Sequence, residues 1–384
     1  MKHVIYVTVG DVSVYESQIL ELLDYLQNND VKVTLVQGYK SDEERKSLEK
    51  KLANHTPVQT VWVKGFPVYP FNKKKMIESL HQGIASIEGY HEAVYHVRNE
   101  YVGYGVKCVF QKYGLNLPML IDIRGVIYEE LKYKQNQLKG KRKLLSFLQC
   151  SYLKSCYRKL FSMDNMRIAF TSVSPMINEY VSTNYPSCKY PMCVHPNIVG
   201  RQFIYDEERR RKIRQRYGIA DNEVLAVCST GGNAVWQKDH LVVKRLVEMG
   251  VRVINLSKKD IGVEECITTT VPFAEMPAML SAADVAVLWR DDTFMNNSAS
   301  PSKFSEFAAM GLYVIHNKTV KVAVEHIRTT GAGCLVDEVE EIQKLPSYEE
   351  LQSRRQQWCE AGLSAFGVDS LGDSYIRKYD EIMN

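Results

Sequence analysis

The sequence predicts an α/β protein built from two Rossmann-like domains. Three observations carry this. Short apolar segments alternate with amphipathic stretches along the whole chain, the pattern of parallel βαβ units. They fall into two sets, separated by His195-Pro196-Asn197. The chain has 384 residues, beyond the roughly 250–300 at which a single core stops growing.

In the first set the predicted strands are 3–9, 31–37, 58–63, 93–97, 119–123 and 167–173. A helix is expected over 16–26, where Ile19, Leu22, Leu23 and Leu26 recur at helical spacing. The second set predicts strands at 224–228, 251–256, 266–270, 284–288, 312–315 and 333–336. Between the sets, 206–217 (DEERRRKIRQRY) reads as an exposed, charged helix entering the second domain. The expected division is 1–198, 199–365, and a final helix over 366–384 that packs back on the first domain. Ligands of open α/β sheets sit beyond the carboxyl ends of the strands. Two such domains therefore put the chemistry in a cleft where the sheets face each other.

Apolar residues make up 45% and charged residues 24%, the balance of an ordinary globular protein. A net charge of +4 is mild and does not mark a nucleic-acid binder. The nine cysteines show no paired metal-ligand spacing and read as reduced, mostly buried thiols. The opening residues enter a strand with no cleavage pattern, and no run of about 18 apolar residues is present. A cytoplasmic protein, peripheral to a membrane at most, is expected. From 131 to 163, Lys or Arg stands at 132, 134, 139, 141, 142, 143, 154, 158 and 159, with no Asp or Glu. Leu144, Leu145, Leu148, Tyr152, Leu153, Tyr157, Leu160 and Phe161 recur there at helical spacing. A basic amphipathic helix of this kind suits either an anionic membrane surface or a core with a solvated basic back. Lys73-Lys74-Lys75 adds a second basic patch.

The most informative stretch runs from Ala283-Asp284 to Ile315 and reads strand, loop, helix, glycine stop, strand. Ser300 is placed to cap the helix and Pro301 to occupy its first turn. Gly311 suits a left-handed terminator. Free N–H groups at Ser302 and Lys303 then make a positive end suited to a diphosphate. Lys303 and Glu306, three apart, share a face.

This segment resembles the signature of family 4 retaining glycosyltransferases, in which a strand ending in Ala-Asp leads to a Pro-x-Lys-x-x-Glu helix. The resemblance implies a GT-B fold, two Rossmann-like domains facing an interdomain cleft. It also implies that Glu306 holds the donor's ribose hydroxyls. The family glutamate eight residues earlier is replaced by Ser298, as in a polysaccharide-type subgroup whose loop reads Asn, small residues, then Ser-Pro-x-Lys. Val224–Lys238 resembles the first strand and glycine loop of the nucleotide-binding domain, with Gly231 and Gly232 near phosphate and Lys238 the cation on the diphosphate. Val271-Pro272-Phe273 resembles the loop framing the nucleobase. Val173-Ser174-Pro175 and His195-Pro196-Asn197 match the end of a strand and the linker. In the first domain, His96-Val97-Arg98 and Asp122-Ile123-Arg124-Gly125 resemble two cleft-edge motifs. They make His96 a candidate on the donor sugar and place Arg98, Asp122 and Arg124 on the acceptor side. Structural roles for His96, Asp122 and Arg124 remain the alternative.

Taken together, the expected activity is transfer of a sugar from a UDP- or GDP-linked donor, with retention, to a saccharide or lipid-linked saccharide of cell-surface polysaccharide. The catalytic set is His96, Lys238, Glu306 and Arg124. No cofactor beyond the donor, no metal and no nucleic acid is expected, and Asp291-Asp292 reads as solvated. The rival readings are a nucleotide-sugar epimerase of GT-B type and a catalytically idle subunit that binds nucleotide or glycan. A dinucleotide oxidoreductase is disfavoured because no G-x-G-x-x-G fingerprint is present.

Overall fold

The computed structural model describes residues 1–10, 14–64, 72–229 and 236–384. The chain divides into two compact units. Unit 1 is Met1–Pro196 with Gly372–Asn384, and unit 2 is Asn197–Leu371.

Unit 1 holds a sheet of seven strands: β1 (Lys2–Val9), β2 (Val31–Tyr39), β3 (Gln59–Lys64), β4 (Val94–Arg98), β5 (Met119–Ile123), β6 (Ile168–Ser172) and β7 (Met192–Val194). Their order is β3-β2-β1-β4-β5-β6-β7, with every pairing parallel. β4, β5 and β6 are buried at every position. That follows from helices on both faces, and explains why these strands open on apolar residues without alternation, their polar residues (His96, Arg98, Asp122, Thr171 and Ser172) coming later in each strand. β7, three residues long and only partly covered, escapes sequence reading.

The expected helix over 16–26 begins as a π-helical run, Tyr15–Leu20, before the α-helix Glu21–Asn28. The apolar stripe is nonetheless the buried one, with Ile19, Leu22, Leu23 and Leu26 in the core. The basic stretch forms one helix, Gly140–Leu160. Its last turn is fixed by Lys107, whose ammonium donates to the carbonyls of Lys159, Leu160 and Ser162 at 3.0, 3.1 and 3.0 Å. A cation on the orphan carbonyls of a helix end is favoured by the helix dipole. The expected single apolar stripe divides: Leu153, Tyr157, Leu160 and Phe161 are buried, whereas Leu144, Leu145 and Leu148 are exposed. In the second basic patch, Lys73 is committed to the Tyr104 hydroxyl at 2.7 Å.

Unit 2 holds β8 (Leu225–Cys228), β9 (Arg252–Leu256), β10 (Ile267–Thr269), β11 (Val285–Leu288), β12 (Tyr313–His316) and β13 (Gly333–Leu335). The order is β10-β9-β8-β11-β12-β13, again all parallel. Alternate residues of β11 feed two cores. Ala286 and Leu288 join Phe304 and Phe307 on one face, and Val285 and Val287 join Val242 and Leu246 on the other. The helix Ser302–Ala309 is packed by the helix Tyr348–Phe366. The approach is close enough that a Cβ at Gly362 would meet the Ala308 carbonyl oxygen.

The helix Glu207–Arg216 is exposed at most positions, as expected, but buries one face at Arg210, Ile213 and Arg214. Arg210 and Arg214, four apart on one face, are each 1% exposed. They reach Asp284 at 2.8 and 3.3 Å, with Arg355 at 3.7 Å. The Asp284 carboxylate also accepts from the Leu225 N–H and from Gln352. Other guanidinium donors of Arg210 and Arg214 meet backbone carbonyls at Ala220, Ser281 and Ala282, while Nη2 of Arg210 is buried without a hydrogen-bond partner among the described residues. Buried charge is tolerable only when paired and hydrogen-bonded in this way. All nine cysteines are free, and none is fully exposed.

Candidate active site

In unit 2 the strand order reverses between β8 and β11. At such a switch point the loops leaving the two carboxyl ends diverge and leave a crevice. Of the sequence-predicted donor residues, Lys238 follows β8, while Ser298, Ser300, Ser302, Lys303 and Glu306 follow β11. Phe273 lies after the edge strand β10, in a turn where its ring packs 5.7 Å from that of Phe203. Gly231 and Gly232 fall outside the described residues.

The helix Ser302–Ala309 starts differently from expectation. Its N-cap is Pro301, and no side chain caps it. The Ser300 hydroxyl instead accepts the Asn197 backbone N–H at 3.0 Å, and the Asn197 side-chain amide donates to the Ser300 carbonyl. Ser305 completes the clamp by donating to the Asn197 carbonyl at 2.9 Å. The first residue of unit 2 thus pins the helix that carries Lys303 and Glu306. Gly311 ends it at φ +63°, as the sequence implied.

Lys303 donates to Glu306 at 2.8 Å. The carboxylate is almost sealed, with Glu306 2% exposed, whereas the Lys303 side chain is 25% exposed. Burial raises the Glu306 pKa, and the Lys303 charge works against that rise. An ammonium carries three donors, so those not used by Glu306 can meet an anion at the helix end. The N–H groups of Phe304 and Ser305 already turn back to Pro301, leaving the first positions to attract negative charge. Ser298 is buried, its hydroxyl directed to the Met295 carbonyl.

Lys238 sits on a short antiparallel ribbon in which Gln237 faces Arg290. The Lys238 N–H donates to Trp289 and the Asp291 N–H to Trp236. Its ammonium lies 3.9 Å from Asp291, and Asp292 accepts from Asn297. The two acidic residues therefore diverge to separate partners. Arg290 lies on the other face of the ribbon by the alternation of strands. Its Nε is shut off from solvent without a hydrogen-bond partner, and its charge faces Asp239, whose carboxyl burial pushes up to about 6. Among the described residues no three His, Cys, Asp or Glu side chains gather as metal ligands. A hollow of about 380 Å³ lined by Tyr313, Gly331, Gly333 and Trp358 opens at the amino ends of β12 and β13, the sheet edge opposite these loops.

The unit 1 candidates form a different kind of arrangement. His96 is 0% exposed. Its Nδ1 is 2.7 Å from the Tyr379 hydroxyl and its Nε2 is 3.5 Å from Asp122. Arg124 donates to both oxygens of Asp122 at 3.2 Å and to the Tyr375 hydroxyl at 3.4 Å. Asp122 is held below the usual carboxylate range despite its burial by Arg124, His96 and Arg98. Arg98 donates to Gln18 of the π-helical run. His195 bridges Thr171 and Ser374 at 2.7 and 2.8 Å, and burial lowers its pKa to about 4. Every chain-terminal partner named here lies on the final helix, Val368–Met383. In this arrangement His96, Asp122, Arg124 and His195 fasten that helix to the unit 1 sheet, and His96 presents no atom to solvent.

Sequence reasoning missed the Asn197 clamp and Arg290. The clamp joins residues 103 and 108 positions apart, beyond any local pattern. Arg290 had a usable signal, a charge set just past the carboxyl end of a buried strand. No family model and no curated protein matches the chain. Solved structures do. A glycosyltransferase from Rickettsia africae ESF-5 superposes with a TM-score of 0.69 at 14% identity, covering 100% of this chain and 99% of that one. For sucrose-phosphate synthase from Thermosynechococcus elongatus the values are 0.67 and 11%, over 100% and 99%. For Anabaena HepE in complex with UDP and glucose they are 0.64 and 10%, over 99% and 100%. Matched along the whole length of these chains, two all-parallel sheets in these strand orders give the protein the GT-B fold.

Proposed function

We propose that the chain is a glycosyltransferase that moves a sugar, with retention and without a metal, from a UDP- or GDP-linked donor to a saccharide or lipid-linked saccharide of cell-surface polysaccharide. The observation that carries this reading is the Lys303–Glu306 pair, 2.8 Å apart and nearly sealed on the carboxylate side, at the amino end of a helix on the switch point of unit 2. The Anabaena HepE structures with UDP and with UDP-glucose support a nucleotide-sugar donor. Unit 2 takes the donor and unit 1 the acceptor.

In the reaction the bond from the anomeric carbon to the diphosphate oxygen breaks and a bond to the acceptor oxygen forms on the same face. The acceptor's proton passes to the departing diphosphate, which leaves as nucleoside diphosphate. Lys303, Lys238 and the helix N–H groups stabilise the charge that grows on the leaving group. The buried Glu306 carboxylate accepts hydrogen bonds from the ribose hydroxyls. Its pairing with Lys303 favours the ionised form against the rise that burial gives its pKa.

The test is release of nucleoside diphosphate from UDP- and GDP-sugars, with and without saccharide acceptors. Acceptor-dependent release supports transfer. Release of free sugar epimer without an acceptor assigns the chain to the epimerase class. Binding without any turnover assigns it to the idle subunits.

A further inference from the structure

The helix Gly140–Leu160 is apolar on two opposite faces. At about 100° per residue, Ser146, Cys150, Leu153 and Tyr157 define one side, and all four are buried. Leu144, Leu145, Phe147 and Leu148 fall within about 160° of one another on the opposite side. They are 62%, 62%, 58% and 56% exposed. Four large apolar side chains within five residues, all turned to solvent, form a contiguous patch rather than the scattered singles of an ordinary surface. Below the patch on the same outward side the helix turns polar and then basic, through Ser151, Ser155, Arg158 and Lys159. Lys139, Lys141, Arg142 and Lys143 precede it. No acidic residue occurs from 131 to 163.

We propose that this outward face docks the protein on an anionic lipid surface, with Leu144, Leu145, Phe147 and Leu148 entering the acyl boundary and the flanking lysines and arginines meeting headgroup phosphates. The charge pattern selects this occupant. A second copy would bring the same acid-free basic face and repel it, and a nucleic acid offers nothing to four exposed apolar side chains. An anionic bilayer satisfies both halves at once, because apolar insertion and basic attraction add. The Lys107 cap and the buried half of the helix hold the patch rigidly on unit 1, so docking needs no folding step. Among the described residues no helix is long and apolar enough to cross a membrane, which fits a helix lying in the interface. The inference stands independently of the transfer reaction, since it concerns a surface outside the donor site.

The experiment is flotation of the full chain with vesicles of phosphatidylcholine alone and with about a third phosphatidylglycerol, beside the variant Leu144→Ser/Leu145→Ser/Phe147→Ser/Leu148→Ser. The four positions are exposed, so circular dichroism and the thermal transition of the variant are expected to match the parent. Binding of the parent to anionic vesicles, at least tenfold weaker on neutral ones and at least tenfold weaker in the variant, supports the assignment. Failure of the parent to float with anionic vesicles overturns it, as does unchanged binding by the variant. Sedimentation showing a dimer of the parent that the variant abolishes would assign the patch to self-association instead and equally overturn it. Hydrolysis of a soluble donor is expected to be equal in parent and variant, which separates this result from the test of the transfer reaction.

Discussion

Replacing Lys303 and Glu306 one at a time has unequal consequences that the geometry sets in advance. Lys303→Ala leaves a carboxylate that is 2% exposed without the ammonium that stood 2.8 Å away. Breaking a buried pair in this way costs about 3–5 kcal/mol while the remaining charge persists. Protonation is the escape, at about 1.4 kcal/mol for each pH unit above the carboxyl pKa. Burial already raises that pKa in the folded chain, and losing Lys303 raises it further. A raised folded-state pKa gives stability that is present at low pH and lost as pH climbs through it. The penalty of Lys303→Ala is therefore expected to grow from pH 5.5 to pH 8, reaching about 3 kcal/mol. Glu306→Gln leaves the ammonium, 25% exposed, free to reach water, and is expected to cost under about 1 kcal/mol. Urea unfolding followed by tryptophan fluorescence is the assay. Of the four tryptophans, Trp236, Trp289 and Trp358 lie in unit 2, so the signal reports chiefly on the unit concerned. An equal loss at both pH values, or a larger loss for Glu306→Gln, would refute the reasoning.

Three further outcomes follow from other buried groups. Asp284→Ala strips the shared counter-charge from Arg210, Arg214 and Arg355 and should lower the unfolding free energy by about 3–5 kcal/mol; a loss below about 1 kcal/mol would mean that the three guanidiniums are satisfied by carbonyls alone. His316 is held neutral, its Nδ1 placed to donate to Leu288 and its Nε2 to accept from Val320, and burial takes its pKa down to about 4. Its contribution is thus kept above pH 6.5 and lost as pH falls through about 4. His316→Gln should flatten the pH dependence of stability across that window by up to about 3 kcal/mol, and an unchanged slope would remove the assignment. Gly311→Ala places a Cβ 2.5 Å from the Arg355 carbonyl oxygen at a φ of +63° and should cost about 1–3 kcal/mol or more; full stability in a thermal melt would contradict it.

The two sheets were legible because parallel strands covered on both faces leave apolar runs that need no partner to recognise. Twelve of the strand positions differ from expectation only at their ends. β7 was not legible, being short and half-covered. Local charge misled at 206–217, where Arg210 and Arg214 look like surface residues until Asp284, more than sixty positions away, is brought beside them. The same division holds at the site. Lys303 and Glu306 declared themselves by a spacing of three within one helix. The use of Ser300 did not, because its partner Asn197 comes from the start of the unit. His96, Asp122 and Arg124 resembled cleft residues in sequence, and the structure adds what no motif carries, the tyrosines of a helix from the far end of the chain. The basic helix was visible as basic and apolar, but only its packing shows which leucines belong to the core.

A crystal structure of the full chain with a bound nucleoside diphosphate, UDP or GDP, bears most directly on the donor grip. The expected density places the diphosphate against the N–H groups of Ser302 and Lys303, with the ribose hydroxyls on Glu306 and the Lys238 ammonium turned to a phosphate oxygen. A nucleotide bound instead at the amino ends of β12 and β13, with the Lys303–Glu306 pair untouched, would contradict it.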